Sequence, residues 1–98
     1  MQKSIQVTGV PWFEASDYES FKPLLPDRYW HATFAEWEVA AVKTVKQFEN
    51  QGLRVVKVST TSAEFLAWCF ASGRAIDTQS LIAFATEAAF MEAHGYHR

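Results

Sequence analysis

An α+β fold, two short strands and four helices in the order β-α-α-β-α-α, is predicted by three features of this sequence. Segments 4–10 and 53–59 alternate apolar with polar residues and are rich in β-branched side chains, the period-two pattern of a strand. Three S/T-x-x-E tetrads, Ser16–Glu19, Thr33–Glu36 and Thr61–Glu64, stand at the starts of helix-like apolar patterns. In such a box the hydroxyl accepts a backbone N–H three residues on, and the glutamate reaches back to the cap. Finally, 98 residues with 49% hydrophobic and 20% charged side chains suffice for one core and not for two, so residues 1–98 read as a single domain.

The first strand, 4–10, is expected to close at Gly9 and Pro11, leaving Trp12 and Phe13 in a turn. Helix 1 then starts at Asp17 with Ser16 as its cap, and Pro23 and Pro26 keep it short. Residues 23–32 are irregular and too apolar for a solvated linker, so Leu24, Leu25, Tyr29 and Trp30 are expected to pack on the body. Helix 2, capped by Thr33 and ending near Gly52, carries Phe34, Trp37, Ala41, Val45 and Phe48 on one face. The second strand, 53–59, puts Val56 and Val58 on one face and Leu53 and Val55 on the other. Helix 3 follows the Thr61 cap and is apolar nearly all round, a pattern of a buried helix or of one covered by a partner. Gly73 ends it, Asp77 or Thr78 caps helix 4, and Gly95 closes that helix. A short helix 1 makes helix 2 the crossover and the two strands parallel, which is the preferred arrangement.

Composition narrows the function. A net charge of −2 gives neither nucleic acid nor an anionic membrane an overall attraction. The first residues lack a sustained apolar run, and no apolar stretch is long enough to span a bilayer, so a cytoplasmic location is expected. One cysteine, Cys69, leaves no intrachain disulfide, and its apolar neighbours Trp68 and Phe70 suit an inert thiol. His94 and His97 lack a third ligand, glycines are too dispersed for a phosphate-binding loop, and no cofactor is indicated.

Eight of the fifteen aromatic residues fall in residues 12–37. Core filling explains such crowding, but Trp12-Phe13 and Tyr29-Trp30 lie on segments read as irregular, where binding residues collect. Trp12, Phe13, Tyr29, Trp30, His31 and Arg28 are therefore the candidate binding residues of a non-enzymatic interaction domain for a protein partner, itself included, or an apolar ligand. Homodimerisation is expected through helix 4 or a strand edge, because Ile82, Ala89 and Phe90 widen the helix 4 stripe and two strands leave both edges open. Two alternatives stand beside it. Helices 3 and 4 could form a DNA-binding helix-turn-helix, although helix 4 has no Lys or Arg to neutralise phosphate. A small enzyme would instead use a pocket near Asp17, Glu19 and His31.

Val10-Pro11-Trp12-Phe13, Phe34-Ala35-Glu36-Trp37, Phe65-Leu66-Ala67-Trp68-Cys69 and Ile82-Ala83-Phe84-Ala85 together resemble an uncharacterised family of small, roughly 100-residue bacterial proteins. That resemblance implies a bacterial cytosolic protein and brings neither an activity nor site residues.

Overall fold

Period-two alternation and the helix caps become six elements in a computed structural model that describes residues 6–93. They are β1 (Val7–Trp12), α1 (Tyr18–Phe21), α2 (Phe34–Asn50), β2 (Arg54–Ser59), α3 (Ser62–Ser72) and α4 (Thr78–Ala93). The order is the expected α+β one, and the strands pair in parallel with Val7 opposite Arg54 and Trp12 opposite Ser59. The expected strand residues Ser4 and Ile5, and His94, Gly95 and His97, lie outside the described residues.

Pro11 does not end β1; the strand runs on through Trp12. The reason is the ladder. Arg54 N–H donates to the Gln6 carbonyl and Thr60 N–H to the Trp12 carbonyl, so the even-numbered residues of β1 turn their polar groups toward β2. Pro11 falls on the outward side, where its missing N–H costs no ladder bond.

Helix 1 is a single turn, and α2 makes the crossover. Its expected cap does not form: Asp17 takes the N-cap position and gives α1 no side-chain cap bond. The Asp17 carboxylate instead accepts Ser62 N–H at 2.6 Å and Ser62 Oγ–H at 2.8 Å, across 45 residues of sequence. At α2 the full box is present, with Thr33 Oγ1 accepting Glu36 N–H at 3.1 Å and Glu36 accepting Thr33 N–H at 3.3 Å. Thr61 Oγ1 likewise accepts Glu64 N–H at 3.2 Å. Gly73, at φ 68°, gives α3 a left-handed C-cap whose N–H returns to the last turn.

Gly9 has a different role. A Cβ there would press into the Ala85 carbonyl, within 2.8 Å of its carbon and 2.9 Å of the Ala89 methyl. The missing side chain, with Ala85 and Ala89 buried on α4, lets helix backbone approach strand backbone. Val56 and Val58 fill the rest of that face. A second, larger cluster is aromatic: Phe13, Tyr18, Phe21, Trp37 and Phe65 are buried around Leu25 and Leu81. Phe13 is its hub, with ring centroids 4.7 Å from Phe21, 5.0 Å from Trp37 and 5.4 Å from Trp30. Contacts of this kind add about 0.5–1.5 kcal/mol each beyond area burial. No helix among the described residues is long and apolar enough to cross a membrane.

Candidate functional site

The irregular stretch between α1 and α2 is held by its own carbonyls. Trp30 Nε1–H donates to the Leu25 carbonyl at 2.8 Å, the Tyr18 hydroxyl to His31 at 2.8 Å, and Lys22 Nζ to Ala32 at 3.1 Å. Asp27 fixes the middle by accepting Thr78 N–H at 3.0 Å at the start of α4. That bond is the main reason its carboxyl sits below the ordinary 3.8. A loop so tied holds its side chains in set positions.

Three of these side chains, Arg28, Tyr29 and His31, line a cleft of about 280 Å³ against α2 and the end of β1. Trp37, Ala41 and Thr44 form its helical side. The Arg28 guanidinium lies 4.8 Å from the Trp30 ring centroid and 5.7 Å from that of Phe13. Desolvation lowers its pKa below the ordinary arginine value, although Tyr18 and Asp27 act the other way. The Tyr29 and His31 rings meet edge to face at 5.0 Å.

The expected binding set therefore divides. Arg28, Tyr29 and His31 come together, with Tyr29 77% exposed. Phe13, at 2%, is sealed in the core and cannot meet a ligand. Trp12 and Trp30 pack against that core and keep part of their surface. Tyr29, expected to pack on the body with Leu25 and Trp30, points to solvent instead. The residues of the proposed enzyme pocket are dispersed: Asp17 is engaged by Ser62, Glu19 pairs with Lys22 at 3.1 Å, and His31 alone lines the cleft. Cys69 is buried at 1%, and burial foremost, with Asp77 adding, pushes its thiol pKa up from 9.0. Among the described residues, no group of three or more His, Cys, Asp or Glu is placed to hold a metal ion.

A second surface lies on the outside of α3 and α4. Phe70 is 86% exposed, Phe90 56% and Ile82 55%, and Ile76 is exposed between the helices. Phe65 and Cys69 of α3 are buried and Trp68 packs against the core, so its all-round apolar pattern becomes one inward face and one open one. Arg74 joins the two hollows of this surface, one holding Phe70 and Ile76, the other Ile82 and Glu87.

Sequence reasoning places Trp37 and Ala41 on the apolar face of α2 and gives Thr44 no role. The available signal was that Thr44 lies seven residues after Trp37, on the same side of α2, where small side chains leave room.

Fold and cleft together define a small α+β domain with an aromatic core and a loop-built hollow. No family model, curated protein or solved structure matches the chain.

Proposed function

We propose that this domain works by binding rather than catalysis, and that it pairs with a second copy of itself through the outer face of α3 and α4. One observation carries the reading: Phe70, Ile76, Ile82 and Phe90 are exposed together on a single helical hairpin. Apolar surface gathered this way marks interaction sites. The occupant follows from charge. Arg74 and Glu87 line the same hollow. A two-fold axis sets each patch against its own copy, so the guanidinium of one protomer meets the carboxylate of the other. The alternative DNA-binding role gains little here, since this hollow offers phosphate one cation, Arg74, beside the anionic Glu87. A cytoplasmic location belongs to the same reading.

Sedimentation equilibrium at tens of micromolar tests it. The wild-type chain is expected to run as a dimer, and Phe70→Glu with Ile82→Glu as a monomer of unchanged helical circular dichroism. A monomeric wild-type chain would sink the proposal.

A further inference from the structure

The 28–31 cleft is separate from the helical face just described and does not depend on it. Its chemistry is mixed. Trp37, Ala41 and the end of β1 supply apolar wall, and Thr44 and His31 supply polar groups. At its mouth Arg28 is half-buried and stacked on Trp30. Among the described residues no carboxylate lies within ion-pair distance of Arg28, and the neighbouring Asp27 is engaged by Thr78 N–H. A guanidinium lying over a ring still has N–H donors for a bidentate acceptor. Leaving it desolvated without an anion is unfavourable, and a bound anion relieves that.

Size narrows the ligand. An apolar cavity of about 150 Å³ holds benzene. A cleft of about 280 Å³ has room for one ring and a short arm. We infer that this cleft binds a small arylalkanoate, its ring against Trp37 and Ala41 and its carboxylate on Arg28. The same group ends a peptide chain whose last residue is phenylalanine; the free acid is the ligand assigned, because one ring and a short arm match the volume of the cleft.

Three probes decide the matter by NMR titration of the 15N-labelled full chain: 3-phenylpropanoate, its neutral amide, and acetyl-Ala-Phe. The acid is expected to shift the His31 and Thr44 amides with a dissociation constant of roughly 1 mM or below. A charge-assisted contact predicts about tenfold or more discrimination against the amide. Arg28→Gln should remove that discrimination, and Ala41→Leu, which fills the helical side, should abolish binding of both. Since Ala41→Leu could disturb packing, Arg28→Gln with an unchanged melting curve is the deciding variant. Equal affinity for acid and amide, or no shifts at 10 mM probe (roughly ten times the expected constant), overturns the inference. Tighter binding of acetyl-Ala-Phe than of the free acid overturns it in favour of a peptide terminus. Dimer dissociation by Phe70→Glu should leave all three titrations unchanged, so the two proposals fail separately.

Discussion

At the scale of single residues, Gly9 is the one described glycine whose added Cβ would meet other atoms. Its place is set by backbone proximity, since the Ala85 carbonyl occupies the space a methyl would need. Overpacking of this kind costs about 1–3 kcal/mol, because neither strand nor helix backbone can give way cheaply. Gly9→Ala is therefore expected to lower the melting temperature by at least 4 °C or so, about 4–8 °C per kcal/mol for a domain this size; thermal denaturation followed by circular dichroism checks it. Sequence alone suggested only a strand terminator at Gly9. Nothing in the local pattern says that a helix more than seventy residues later will lie against it, which is why the glycine's purpose was hidden while its presence was plain.

At the scale of elements, local signals were read well and long-range ones were not. The α2 box formed as written because Thr33 and Glu36 need only each other. Ser16–Glu19 offered the same letters, but Asp17 found a better acceptor role at Ser62, and the box gave way. The start of α3 thus has two caps, Thr61 from within and Asp17 from afar. Asp17→Ala should destabilise the fold by about 1–2 kcal/mol, the usual range for a lost cap, read as a lower urea midpoint with unchanged slope. An unchanged midpoint would mean that Thr61 alone secures the helix. The aromatic loop follows the same rule. Tyr18 and Trp30 are drawn inward by donating to the His31 and Leu25 carbonyls, whereas Tyr29 stays exposed.

For the whole molecule, the parallel sheet and the element order were legible because the prolines shortened α1 and left α2 as the crossover. The candidate site was legible only in part: Arg28, Tyr29 and His31 share one short stretch, whereas the α2 wall they face was masked by its resemblance to core. The same aromatic cluster makes stability depend on alkaline pH. Burial foremost raises the Tyr18 phenol above the ordinary 10.0. An unfolded chain releases that proton near pH 10 while the folded one retains it to higher pH. Stability is therefore complete below about pH 10 and is lost as pH rises through the elevated folded value. Urea denaturation from pH 8 to 11 should show this fall, and Tyr18→Phe should flatten it after losing about 1 kcal/mol at neutral pH.

The outward side of β1 bears on what the molecule can become in company. An incoming strand would have to borrow a donor at the place Pro11 occupies, and it would find none. Lys57 of β2 instead reaches across the ribbon to β1, its ammonium 4.7 Å above the Trp12 ring. That edge of the two-stranded ribbon is thereby a poor template for open-ended stacking.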